Sequence, residues 1–223
     1  VQELVSCQPD GKSPRIELHY FPCLAYFACL LPYTTVVLEA HENYIKQTYR
    51  NRCSILTANK IVSLSVPVVK GNTKQKTKDI QIDYKENWLK DHWRTIASAY
   101  GKAPFFSELA PIFESVLYRK YRFLFDLNQE ILTKCLYLLG WKKQISVSEQ
   151  YLEEGITPAD YRNRIHPKKT EVWSDVYQPV PYFQNFGNDF VPNLSILDVL
   201  FCEGTYASEI IRRSAVINQK VNL

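Results

Sequence analysis

The chain has 223 residues, 46% hydrophobic and 13% aromatic, with a formal net charge of +4. That much apolar and aromatic area excludes a disordered polymer and is enough for one buried core. The charge excess is small and forms no dense Lys/Arg stripe, which argues against nucleic acid and suits an anionic small molecule instead.

In chain order, "RIEL" (15–18) is a short candidate strand. "CLAYFACLL" (23–31) has helical spacing, with Leu24, Phe27 and Leu31 apolar, and "TTVVLEA" (34–40) is a strand by its β-branched content. Together these predict a β-α-β unit. "FPCLAYFACLLPY" is the most apolar stretch. It falls short of the roughly 18 residues a membrane span needs, so no span is expected. "SILTANKIVSLSVPVV" (54–69) reads as a hairpin around an Ala-Asn-Lys turn, and "IQID" (80–83) as another short strand.

From there the pattern turns helical. Trp88, Leu89, His92, Trp93, Ile96 and Tyr100 form one wide apolar stripe. A second helix is expected over 107–120, with Pro111 in its first turn or breaking it in two. A third spans 122–140, with Gly140 just past its end. Residues 142–193 read as irregular, a candidate lid. "NLSILDVLFCEG" (193–204) and "TYASEIIRRS" predict two closing helices. The expected fold is α/β: a small N-terminal sheet with a β-α-β start, then packed helices and a C-terminal helical segment, as one domain over 1–223.

The six cysteines (Cys7, Cys23, Cys29, Cys53, Cys135 and Cys202) make no CxxC and no Cys/His zinc spacing. They read as buried thiols of a protein in a reducing cytoplasm, and no metal is expected. No GxGxxG and no GxxxxGK[ST] occurs, so the usual dinucleotide and phosphate loops are missing and the cofactor stays open. "KGNTKQKTK" (70–78) reads as a solvated loop.

The densest set of ionisable groups is "EAHENYIKQTYRNRC" (39–53), at the end of an apolar strand. Ligands of α/β sheets gather beyond the carboxyl ends of strands. If 44–52 is helical, Lys46 and Arg50 share a face; if it is extended, Arg50 and Arg52 do. Either pair suits a phosphate or carboxylate. The competing reading is an internal salt-bridge network with Glu39 and Glu42. Glu39 and His41 are candidate general bases. "YRNRIHPKK" (161–169) is a second basic candidate, with Arg162 and Arg164 as anion ligands and His166 as a possible catalytic group, set against a plain solvated loop. The two segments are expected to come within a side chain's reach of each other. In "ELHYFP", His19 is kept as a ligand contact, while Tyr20 and Phe21 read as a packed aromatic turn. His92 reads as a half-buried structural histidine, and Cys53 as a buried thiol rather than a nucleophile.

These segments resemble those of the WbqC-like proteins, a bacterial family of surface-polysaccharide (O-antigen) gene clusters. The resemblance runs through nearly all the chain after residue 16. It rests on "YFPCLAYF", "EAHENYIKQTYRNRC", "LSVPVVKG", "KDIQID", "NWLKDHWRTIASAYGKAPFF", "FLFDLN", "YRNRIHPKK" and "YQPVPYFQNFGNDFVPNLSILDVLFCEG". It implies a transferase, with glycyl or other acyl transfer to a sugar amine as the suggested reaction. The basic cluster at 39–53 is read as an anion site for a nucleotide, a sugar phosphate or a nucleotide-sugar. One departure is His19, which stands where family members carry Pro or another small residue after a Gln. Two further readings stay open. One is a nucleotidyltransferase-like or ATP-dependent activating enzyme, drawn from the strand-turn-helix start. The other is a non-catalytic protein that holds a nucleotide-sugar or a partner.

Overall fold

Strand β1 (Arg15–Glu17) and strand β2 (Thr35–Glu39) run parallel and are joined by helix α1 (Leu24–Leu30), as the β-α-β pattern predicts. The computed structural model describes residues 13–69, 74–157, 159–168 and 174–216. Every residue of α1 is buried, the state expected of a helix that is apolar all round. A helix this short depends on tertiary partners for its terminal polar groups. At its start, the Asn193 side-chain oxygen accepts from the Ala25 N–H at 2.9 Å and the Leu194 carbonyl accepts from Leu24 at 3.3 Å. At its end, the Lys143 ammonium donates to the carbonyls of Leu30 (2.8 Å) and Tyr33 (2.5 Å). The turn into α1 puts Phe21 at φ 41°, a left-handed conformation rare for a bulky residue. Its fully buried ring packs edge-on to Phe113 and holds it there.

A third strand, β5 (Gln144–Val147), lies parallel to β2, giving the order β1-β2-β5. This corrects the expectation that 142–193 is wholly irregular. "QISV" is short, polar at one end and half-exposed, an edge strand without a strong alternation to announce it. On the other edge, residues 159–161 run alongside β1. Arg15 donates to the Ala159 carbonyl at 2.9 Å and Tyr161 to the Arg15 carbonyl at 2.8 Å. One sheet face carries Ile16, Leu18, Val36 and Leu38, all fully buried in the core. The opposite face carries Arg15, Glu17 and Glu39, which are also buried.

The expected hairpin forms from β3 (Arg52–Leu56) and β4 (Ile61–Ser65), antiparallel and closed by Thr57 and Lys60. "IQID" is not a strand. Gln81 and Ile82 make single bridges to Phe123 and Val68, so each side meets one residue and no ladder extends. Helices α2 (Trp88–Tyr100), α3 (Phe106–Tyr118), α4 (Leu124–Leu138), α5 (Ile196–Glu203) and α6 (Ala207–Ser214) complete a mixed α/β fold. Pro111 sits in the second turn of α3 and does not break it. Its ring removes only the one bond it would have donated to Ser107, and Leu109, Ala110 and Phe113 anchor the helix on either side.

Gly140, at φ 70°, ends α4 as predicted, with its own N–H on Tyr137 and that of Trp141 on Leu136. Gly204 ends α5 at φ 56° and has a second constraint: a Cβ there would stand 2.6 Å from the Phe105 ring. Cys23, Cys29, Cys53, Cys135 and Cys202 are free and buried; Cys7 and part of the 70–78 loop lie outside the described residues. Among the described residues no helix is long and apolar enough to cross a membrane.

Candidate functional site

Parallel pairing brings Glu17 and Glu39 into register at the same end of β1 and β2, their carboxyl ends. Both are essentially inaccessible, at 1% and 0%. Burial of ionised carboxylates is costly unless each is paired and hydrogen-bonded, and the surrounding loops supply the partners. Glu39 accepts from Arg15 at 2.6 Å, Ser148 at 2.8 Å, the His41 backbone at 2.7 Å and Arg162 at 3.4 Å. Ser148 follows β5, so all three strands contribute at this edge.

Arg50 is among the largest fully buried side chains of the protein. Its Nε and Nη2 fork onto Glu42, both at 2.7 Å, and Nη2 also meets Asn163 Oδ1 at 2.9 Å. Its Nη1 stands 3.6 Å from Glu17. Its backbone carbonyl accepts from Asn128 at 2.7 Å, so α4 fixes the loop that carries it. Arg162 forks onto Asp160 at 2.9 and 2.5 Å and donates to the Leu152 and Glu153 carbonyls. Because 159–161 run parallel to β1, the chain delivers Arg162 and Asn163 to the same edge.

His19 lies two residues beyond Glu17, so their side chains share a face. Its Nε2 is 3.3 Å from Glu17 Oε1, and its ring leans on Tyr26 and Tyr49. Burial lowers the His19 pKa, and the bond to Glu17 recovers only part of that, so the ring is neutral at pH 7. Burial also pushes the Glu17 carboxyl upward, but Arg50 and then His19 more than reverse this and hold it at about 2.

Residues 44–51 are turns, neither the helix nor the strand considered for them. The two geometries that would set Lys46 and Arg50, or Arg50 and Arg52, on one face are therefore absent. Arg50 points inward to carboxylates and Lys46 is exposed. Arg52, in β3, is half-buried with its Nε lacking a hydrogen-bond partner. His41 is half-buried. Arg164 pairs with Asp175, and His166 Nδ1 accepts from the Lys168 backbone at 3.1 Å. The loops at 41–52 and 161–168 do meet: Arg50 touches Asn163, and Lys168 reaches Gln47 at 3.4 Å. Tyr20 donates to or accepts from His92 Nδ1 at 3.0 Å within the core, and burial holds His92 at about 4.

Sequence reasoning passed over Glu17, Arg15, Asp160 and Asn163. Glu17 had a signal: in "RIELH" three ionisable groups alternate with apolar ones along a strand. A cleft of ≈210 Å³ lies elsewhere, at the amino ends of β2 and β5, lined by Tyr33, Trp141, Lys142, Lys143 and Arg212.

The family model of the WbqC-like protein family matches residues 18–162. The chain belongs to that family. A relative, the uncharacterized protein Rv1507c of Mycobacterium tuberculosis (strain ATCC 25618 / H37Rv), is 28% identical over 226 residues, covering 88% of this chain and 96% of its own. No solved structure matches the chain. The family match begins at Leu18, next to His19, and ends at Arg162, so it takes in Glu39, Glu42, Arg50 and Asp160.

Proposed function

We propose that this WbqC-like protein is a cytoplasmic transferase of bacterial surface-polysaccharide assembly. It moves a glycyl or other acyl group onto a nucleotide-linked or phosphorylated amino sugar. The observation that carries this reading is the convergence at one sheet edge. Two buried carboxylates at the carboxyl ends of β1 and β2 are met there by the two basic loops, where α/β sheets hold their ligands. Lys46 and Lys168, exposed at the seam between those loops, are cations suited to a phosphate, with half-buried Arg52 in the strand that follows. Arg50 and Arg162 are committed to carboxylates and organise the edge.

A thermal-shift screen of nucleotides, nucleotide-sugars and amino acids, followed by mass spectrometry of turnover, tests this. A nucleotide-linked amino sugar should stabilise the protein and gain an acyl mass. Stabilisation by ATP and an amino acid together would replace the transferase with an activating enzyme. The complete pairing of Arg50 favours one second reading, a non-catalytic holder of nucleotide-sugars; binding without any turnover is its signature.

A further inference from the structure

We propose that the Glu17–His19 pair receives a protonated amine, and that His19 Nδ1 is the atom that takes its proton. Three observations converge on this. First, the buried ion pairs at the strand ends set the guanidinium groups of Arg15, Arg50 and Arg162 against the carboxylates of Glu17, Glu39, Glu42 and Asp160. Three cations against four anions leaves one negative charge over, and a bound cation would offset it. Burial raises the Glu42 carboxyl above its ordinary range, and the charges of Glu17 and Glu39 push the same way while Arg50 opposes them.

Second, His19 is 1% exposed and its Nδ1 is a buried atom with no hydrogen-bond partner. Glu17 can only accept, so Nε2 carries the hydrogen and Nδ1 is a bare acceptor. An N–H donor completes it; a phosphate or carboxylate cannot. An ammonium supplies both the missing charge and the missing donor.

Third, the backbone near the pair takes left-handed conformations. Phe21 has φ 41° and Asn163 φ 59°. Asn163 donates its backbone N–H to both Glu17 oxygens, at 3.2 and 3.1 Å, while its side chain accepts from Arg50. Such conformations persist where surrounding contacts over-determine them, as at ligand sites.

The step balances simply. An N–H bond of the ammonium breaks, its electron pair stays on nitrogen, and the proton bonds to His19 Nδ1. Glu17 stabilises the resulting imidazolium through Nε2–H, the division of labour of a carboxylate–histidine pair. The neutral amine left behind is a nucleophile. Glu17 is the positioning residue and His19 the catalytic one. Tyr49 and Asn163, which contact the pair, are half-buried, and the proposed amine enters on their side. Only the assignment of that amine to a sugar rests on the transferase reading.

The test is ¹⁵N NMR of the full chain labelled at histidine, titrated at pH 6 with D-glucosamine and separately with D-glucose. His19 should be the Nε2–H tautomer, and glucosamine alone should move its Nδ1 resonance. His19→Gln keeps an N–H towards Glu17 and removes Nδ1. It should lose about tenfold or more of the glucosamine affinity, the usual worth of a hydrogen bond to a charged group. Unmoved His19 nitrogens, or equal shifts with both sugars, overturn the inference even if a nucleotide-sugar binds elsewhere. Should His19→Gln fail to fold, the wild-type titration decides. If glucosamine moves His19 but no nucleotide-sugar binds or reacts, the amine site stands and the transferase reading falls.

Discussion

The protein buries carboxylates in two places and treats them in opposite ways. At the sheet edge Glu17 faces a guanidinium and a histidine. On α5, Asp198 is fully buried, yet its partners are neutral: Tyr100 at 2.9 Å, Tyr182 at 2.7 Å and the Gln184 amide at 3.0 Å. Burial pushes both carboxyls upward. At Glu17 the nearby charge reverses that push and the group ends at about 2; at Asp198 the three neutral donors offset only part of it and the pKa stays raised. With burial equal, the charge of the donors decides the outcome. The Asp198 cluster pins the 182–191 segment to α2 and α5, as a structural tie. The sheet-edge cluster holds charge, as a site for chemistry does.

Arg50→Ala should break this contrast most severely. It strands Glu42 and leaves Glu17 with His19 and the Asn163 backbone, at a cost of about 3–5 kcal/mol in a denaturant melt. A melt like wild type would mean the network is peripheral to the fold. A large loss together with an unchanged thermal response to nucleotide-sugars would instead remove Arg50 from any ligand role.

The acid limb of stability sharpens the contrast. Because Glu17 titrates lower in the folded protein than its ordinary value of 4.5, its contribution is full above about 4.5 and is lost as pH falls towards about 2. Glu17→Gln should flatten that limb in melts between pH 2 and 5. An unchanged slope would show that Glu17 is not the group held ionised.

Lys143 is an intermediate case, a cation that meets carbonyl dipoles and the Trp141 ring rather than a carboxylate. Its ammonium closes the C-terminal carbonyls of α1, so Lys143→Ala should cost about 1–2 kcal/mol, between a neutral and a charge-assisted hydrogen bond. A loss as large as that of Arg50→Ala would show that the carbonyl cap matters as much as the ion pairs.

Much of the fold was legible because local pattern and tertiary role agree in α1, the hairpin and α2 through α6. Gly140 was readable as a helix stop for the same reason. β5 was not, because an edge strand of four residues is held by its pairing with β2 rather than by its own composition. "IQID" failed in reverse: its apolar alternation reports burial of Ile80 and Ile82, not a ladder. At the site, the charge density of 39–53 marked the right place, but sequence cannot say which way Arg50 points. That depends on Glu17 and Asn163 as well as on nearby Glu42, and the first two lie 33 and 113 positions away along the chain. Glu17 itself was hidden because a carboxylate on a short strand reads as solvent-facing until the 159–163 segment is seen to cover it.

The smallest effect is expected at the neutral cluster, and it is the most direct check on the comparison. Asp198→Asn keeps the shape and removes the charge. Tyr100 and Tyr182 can each donate or accept, so their hydroxyls can turn to suit an amide. Gln184 Nε2 retains the Val191 carbonyl at 2.9 Å, so no buried donor there is orphaned. The cost near neutral pH should therefore stay below about 1 kcal/mol, no more than one ordinary hydrogen bond. The pH dependence should change in a definite sense. A carboxyl whose folded pKa lies above its ordinary 3.8 adds nothing unfavourable below that value and penalises the fold increasingly as pH rises through the raised one. Asp198→Asn should remove that penalty, so the variant gains on wild type as pH rises from 4 to 7. Tyr182→Phe takes away one donor, should cost about 1 kcal/mol, and should deepen the same penalty. If Asp198→Asn instead destabilises as strongly as Arg50→Ala, or loses ground as pH rises, then Asp198 is held as a working anion, and the division between a neutral tie and a charged site fails.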